Sequence, residues 1–471
     1  MFRTTSALAA LAVVALALTA CTAPPPVPAV AADAPRDVGV ELFELPWTSV
    51  AQECEKTVGP NGFAWVLTSP AQEHVAGDQW WTSYQPVGYA IDSKLGTRTE
   101  FADMVARCTA AGVKVITTAV AVDAPPASGE SAQIDADSAA PGGSATDSPT
   151  STGSPTATPS PSPVVAPPEL VAYLEDLLAL GVAGFRIEGA FGADGIASVP
   201  ADEVQAVADA LPSGTILMSD LANDGPVPPV RETYSGASRI FEYQYGGELG
   251  AQLSVGALHD PALVDPRPAH VPSASAVVFI DDHTSERADA AITYRDGPLY
   301  LLANVLVLAD DYGMPMISSG YAFGSRDAGP PTSADGAVLP ASCEGLTEPR
   351  TMLSDGDRIC PQAWTAIAGM LAWRSAVGDA PRVAASKGGD LYGFERAGRG
   401  VVAVNPGGTE GWVIVPTSMP DGEYCDVITG GADALADGAC AGEVYKVDNG
   451  SVTFHLRALS AAAIDLNTLL P

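Results

Sequence analysis

Strand-like apolar runs and helical stripes alternate along most of the chain. Val38 to Phe43 reads as a buried strand, and Ser49 to Val58 follows with helical spacing. Gly62 to Leu67 is strand-like again. Between Arg98 and Ala111, the residues Phe101, Met104, Val105 and Cys108 fall on one face of a predicted amphipathic helix. Val113 to Val120 reads as a buried strand, Glu169 to Leu180 as a helix, and Val182 to Ile187 as the next strand. Strands alternating with helices predict a parallel α/β sheet. This many units over residues 37–380 predicts closure into a (β/α)8 TIM barrel. Beyond Pro381 the pattern changes to short β-runs: Leu391–Phe394, Val401–Val404, Trp412–Val415, Gly422–Val427, Val444–Val447 and Ser451–Arg457. These predict a small C-terminal antiparallel β-sandwich domain over residues 381–471.

Two stretches break the pattern. Residues 124–168 are almost all Ser, Thr, Pro, Ala, Gly and Asp, with no aromatic and almost no large aliphatic residue. Such a segment buries too little apolar area to offset its ordering entropy, so it reads as a disordered, exposed insertion and a candidate for O-glycosylation. The N-terminus has Arg3, then an apolar run from Leu8 to Leu18 that is too short for a stable bilayer span. Leu18-Thr19-Ala20-Cys21 follows and resembles the lipobox of bacterial lipoproteins. The resemblance implies a signal peptide over 1–20, acylation of Cys21, and a Pro/Ala-rich tether over 21–36. It also implies export to the extracellular face of the cell membrane. Ordinary cleavage after Ala20, with Cys21 incidental, stays open as an alternative.

The charge balance narrows the partners. Of 471 residues, 56 are acidic and 23 are Lys or Arg, for a net charge of −33. That field repels nucleic acid and anionic headgroups, which excludes nucleic-acid binding. Apart from Cys21, six cysteines remain, an even number that suggests disulfides in an exported chain. Nearest-in-order pairing predicts Cys54–Cys108, Cys343–Cys360 and Cys425–Cys440, although other connectivities stay open. No C-x-x-C spacing points to zinc or redox chemistry.

Several segments carry chemistry together. They are Gly59-Pro60, Ser69 to His74, Gln79 to Tyr89, Gly112 to Ile116, Gly184-Phe185-Arg186-Ile187-Glu188, Val278 to Arg287, Asp327 to Pro331 and Pro361 to Trp364. In this order they resemble the α-amylase family, most closely its secreted actinobacterial members. The resemblance covers about residues 37 to 460 except 124–168. It implies a retaining α-glucan hydrolase with a sugar cleft lined by Trp80, Trp81, Tyr84, Gln85, Arg186 and His283, the aromatic rings exposed and stacking on glucose.

The family's catalytic carboxylates are all altered at the matching positions. The fourth-strand nucleophile, Asp in the family, is Glu188, one methylene longer. The fifth-strand acid, Glu in the family, falls on Asp220 by counting back from Phe241-Glu242-Tyr243-Gln244-Tyr245. The seventh-strand Asp is Thr284, which brings no charge. Retaining chemistry holds its two carboxyls about 5–5.5 Å apart, and misplacement by about 1 Å costs on the order of a hundredfold. Weakened catalysis is therefore expected.

The family's ion sites are altered too. Its third-strand Asp reads Thr118, the calcium-binding Asn reads Val122 and the sugar-contacting His reads Asp123, and the segment after the fourth strand, Gly189-Ala190-Phe191-Gly192, lacks the family's His. No cofactor is expected: the calcium site reads as lost, and a chloride at Arg186 meets Asp282 where the family has Asn. Arg186 and His283 serve either sugar binding or an internal Arg186–Asp282 salt bridge with a packed imidazole. Glu286–Arg287 reads as an ion pair. Three functions stay open: an impaired or inactive family member that still binds α-glucan, a slow hydrolase using Glu188 and Asp220, and a surface scaffold with no carbohydrate role.

Overall fold

In a computed structural model of the chain, eight parallel strands close into a barrel. They are β1 (Gly39–Leu42), β2 (Trp65–Thr68), β3 (Lys114–Ala121), β4 (Gly184–Gly189), β5 (Ile216–Ser219), β6 (Arg239–Phe241), β7 (Ala276–Val278) and β8 (Met314–Ser319). Each strand pairs with its neighbours in sequence, and β1 closes the ring against β8. The structure describes residues 37–122, 165–192, 195–221, 233–256, 258, 270–288 and 290–471. The expected signal peptide, Cys21, the tether, Asp123 and the insertion up to residue 164 lie outside these residues. Ala166 is buried and Pro168 opens a helix, so the end of the expected insertion belongs to the barrel.

Alternation along each strand sorts side chains to two sides of the wall. On β4, Phe185 and Ile187 face outward into the main core, and Arg186 and Glu188 face inward. Helices pack on the outside: α1 (Trp47–Glu53), α2 (Arg98–Ala110), α3 (Pro168–Ala179), α4 (Ala201–Ala210), α5 (Tyr243–Ser254), α6 (Pro298–Ala309) and α7 (Thr365–Val377). The helix expected at Ser49–Val58 begins at Trp47 and widens into a π-turn over Cys54–Val58. α2 starts on a capping box between Thr97 and Glu100 and buries Phe101, Met104, Val105 and Cys108, the predicted stripe. Cys54–Cys108 ties it to the end of the first helical segment, and Cys343–Cys360 and Cys425–Cys440 complete the nearest-in-order set.

Inside the barrel Trp65, Leu67, Ile116, Met218, Phe241, Val277, Phe279 and Met316 form an apolar layer. Gly39 makes it possible: a Cβ there would lie 2.1 Å from the Trp65 indole. The layer is a floor, and polar chemistry begins above it, toward the C-terminal strand ends.

The C-terminal domain has two four-stranded antiparallel sheets. One runs β9 (Arg382–Gly388), β10 (Leu391–Arg396), β11 (Gly400–Asn405), β16 (Ser460–Asp465). The other runs β12 (Gly411–Pro416), β15 (Ser451–Leu456), β14 (Val444–Asp448), β13 (Gly422–Cys425). β9 and β16 were not expected, since their small residues lack the usual β-branched and aromatic signal. Arg396 fastens the domain by donating to the carbonyls of Ala309, Asp310 and Gly378, and Trp373 Nε1 donates to the Ile464 carbonyl.

Candidate active site

Arg186 organises the barrel mouth. Its guanidinium lies over the Phe241 ring at 4.5 Å, resting on the apolar floor. Four carboxyls surround it. Nε touches Glu188, Nη2 touches Asp220 and reaches Asp282 at 3.3 Å, and Nη1 reaches Glu41 at 3.3 Å. Glu188 and Arg186 sit two positions apart on β4, so both point inward. Asp220 follows directly on β5. The strands thus bring both sequence-predicted acids together, as the fourth and fifth strands should, but both contact one guanidinium. Glu188 is 0% exposed and Asp220 4%.

Tyr243 supports this cluster. Its hydroxyl lies 2.8 Å from Asp220 Oδ2 and 2.7 Å from Asp282 Oδ2, and it has one proton to donate between them. Burial and the two flanking carboxylates push its phenol pKa up, so the proton stays. Of the two alternatives for Arg186, the structure forms the salt bridge to Asp282. Asp282 also anchors its own turn by accepting from the Ser285 amide at 2.8 Å.

His283 is enclosed. Its imidazole stacks between Phe43 at 4.6 Å and Tyr84 at 5.1 Å. Nδ1 lies 2.7 Å from Glu41, and Nε2 lies 3.3 Å from the Thr284 hydroxyl. Burial opposes a charge on the ring, but Glu41 outweighs it and raises the imidazole pKa. For Glu41 the same pairing overcomes burial and lowers its pKa. Both ring nitrogens therefore have protein partners. Thr284 faces the imidazole and adds no charge to the mouth.

Glu41 was missed from sequence. The signal was one acid inside the apolar run Val38-Gly39-Val40-Glu41-Leu42, on a strand whose inward positions face the site. Its carboxylate accepts from the His283 amide and the Ser318 hydroxyl, each at 3.2 Å. Tyr243 was missed as well, because it was read only as part of a motif used for counting.

Electrostatics at Glu188 favour the protonated carboxyl. Burial, the largest cause, pushes its pKa up to about 7 against the pull of Arg186, and Asp220 pushes the same way. Neither of its oxygens has a hydrogen-bond partner among the described residues, a cost that a proton lowers. Four carboxyls face one guanidinium at Arg186, so a neutral Glu188 lowers the imbalance.

The aromatic residues correct one expectation. Trp80 is 5% exposed and Tyr84 1%, so neither presents an open face. The reason is internal. The Arg287 guanidinium sits over four rings, Phe323 at 4.1 Å, Phe43 at 5.0 Å, Tyr321 at 5.2 Å and Trp80 at 5.4 Å, and pairs with Glu286 as expected. Trp80 Nε1 donates to the Arg326 carbonyl at 2.9 Å. Trp81 and Gln85 are half-buried at the rim. Trp81 stacks on Phe191 at 5.6 Å, and Gln85 Nε2 donates to the Phe191 carbonyl at 3.1 Å.

Of the ion positions, Thr118, Val122 and Arg186 fall among the described residues. Val122 offers only a carbonyl, which accepts from Tyr89 at 3.5 Å, and Thr118 is buried beside Arg186 on β3. Among the described residues no group of three or more His, Cys, Asp or Glu is placed to hold a metal. An anion at Arg186 would meet carboxyls on Nε, Nη1 and Nη2.

Set beside known proteins, residues 383–467 match the family described as the α-amylase C-terminal all-beta domain. The chain is 34% identical over 413 residues to an α-amylase of Streptomyces violaceus, spanning 83% of this chain and 69% of that one. The chain belongs to the α-amylase family. It is also 32% identical to an α-amylase of Thermomonospora curvata, over 91% of this chain and 73% of that one, and 30% identical to one from Tenebrio molitor, over 88% and 94%. Among solved structures, α-amylase I of Eisenia fetida shares the fold with TM-score 0.70 at 21% identity, covering 92% of this chain and 97% of that one. That enzyme is also solved as a mutant complexed with maltohexaose. As an α-amylase-family barrel, the chain keeps the strand framework while its mouth is filled by its own charges and rings.

Proposed function

We propose that this chain is a non-hydrolysing member of the α-amylase family, held by a lipid on Cys21 at the extracellular face of the cell membrane, with α-glucan as its ligand class. One observation carries the loss of hydrolysis: a single buried guanidinium contacts both Glu188 and Asp220. A retaining glycosidase needs an ionised nucleophile and a protonated acid on either side of the scissile bond. Here the nucleophile position is enclosed, paired and pushed toward the protonated form. No third carboxylate stands at Thr284 to stabilise developing positive charge. The altered ion positions support a mouth that needs neither calcium nor chloride.

The anchoring rests on Leu18-Thr19-Ala20-Cys21 after a short apolar run. The ligand class rests on family membership and on the maltohexaose complex of the Eisenia fetida enzyme. Two experiments test the whole. Reducing-end release from soluble starch by the purified chain is expected at background, equal to Glu188→Ala. A rate abolished by Glu188→Ala would support the slow-hydrolase reading. Cys21→Ser is expected to move the protein from the membrane fraction to the soluble one.

A further inference from the structure

The C-terminal domain turns one aromatic residue outward. Along β12, Val413 and Val415 face the sandwich core, which sends Trp412 and Ile414 to solvent, each 60% exposed. In register opposite Trp412 on β15 is His455, and opposite Ile414 is Thr453. The His455 ring stacks on the indole at 4.4 Å and 15°. That contact fixes the orientation of the indole and leaves most of its surface open. Glu410 lies 3.8 Å from His455 Nε2, and Lys446 stands on the adjacent β14.

We infer that Trp412, with His455 and Ile414 beside it, is a binding platform for a neutral polysaccharide. A pyranose ring has an apolar C–H face that packs on an indole and hydroxyls at its edge. Glu410 and Thr453 supply acceptors and a hydroxyl donor beside it. Competing occupants fit less well. A stable protein interface takes about 800 Å² per partner, and three exposed apolar side chains, Trp412, Ile414 and Val444, fall well short. Polyanions and anionic lipid meet a chain of net charge −33. The platform lies in the second domain and does not depend on the state of the barrel mouth.

The test is affinity electrophoresis of the full chain in native gels containing soluble amylopectin, dextran or mixed-linkage β-glucan. The platform predicts retardation by at least one glycan. It also predicts about a tenfold or greater loss of affinity in Trp412→Ala and retention of most of it in Trp412→Phe. Unchanged thermal unfolding of both variants shows that the fold is intact. Three results would overturn the inference: no retardation by any of the three, equal retardation of Trp412→Ala, or binding that survives Trp412→Ala but falls in Trp81→Ala.

Discussion

At the barrel mouth Trp80 and Tyr84 are packed against Arg287 and His283, whereas Trp412 in the C-terminal sheet lies against His455 with much of its surface in solvent. The two regions use the same chemistry, a ring beside a cationic or ionisable group, to opposite ends. At the mouth every partner is internal, so the rings contribute to stability. On the sheet one partner is missing, so the ring is available. An aromatic residue at a family's sugar-binding position therefore says little about binding until its neighbours are known. Phe43, Tyr321, Phe323 and Arg287 come from three different strand ends and together close the space around Trp80.

The largest expected effect is at Arg186. Arg186→Met leaves four buried carboxyls without their shared cation, and denaturant unfolding should show a loss of about 5 kcal/mol. A near-neutral result would break the claim that this residue organises the mouth. Next comes the comparison itself. Trp80→Ala should cost about 3–5 kcal/mol, and Trp412→Ala less than about 0.5 kcal/mol. Equal losses would mean that the two rings have the same role.

The pH dependence has a definite sign. Burial raises Glu188 and Glu286 from 4.5 to about 7 and Asp465 from 3.8 to about 7. An acid with a raised folded pKa holds its proton more tightly when folded. Its contribution is full below its unfolded pKa and is lost as pH rises through about 7. The raised pKa of His283 acts in the same direction. The lowered Glu41 pKa opposes it only in more acidic solution, below the ordinary carboxylate range. Stability should therefore fall between pH 5 and pH 8 by on the order of a few kcal/mol. Glu188→Gln should flatten part of that slope, read by thermal unfolding across pH. The smallest effect is an expected zero: exchanging chloride for gluconate at fixed ionic strength should leave the melting temperature unchanged.

Much of this was legible in the sequence. Periodicity located β1 to β4 and their helices because each pattern is local and long. The Glu286–Arg287 pair, and the Arg186–Asp282 pair as one of two alternatives, followed from the resemblance to the α-amylase family. Glu41 and the burial of Trp80 and Tyr84 were not legible, because both depend on residues brought together from strands far apart in the chain. Glu41 is one acid in an apolar run, and its meaning comes from Arg186 and His283, 145 and 242 residues away. β16 was hidden by its Ala-rich composition, which signals strand only once β11 is beside it.

The central claim, that Glu188 is unable to act as a nucleophile, is tested most directly by covalent trapping. The purified chain would be incubated with a fluorinated, activated α-glucoside that leaves retaining glycosidases as stable glycosyl-enzymes, then weighed by intact mass spectrometry. The buried Arg186–Glu188 pairing predicts an unmodified mass. A one-sugar adduct that maps to Glu188 would contradict it.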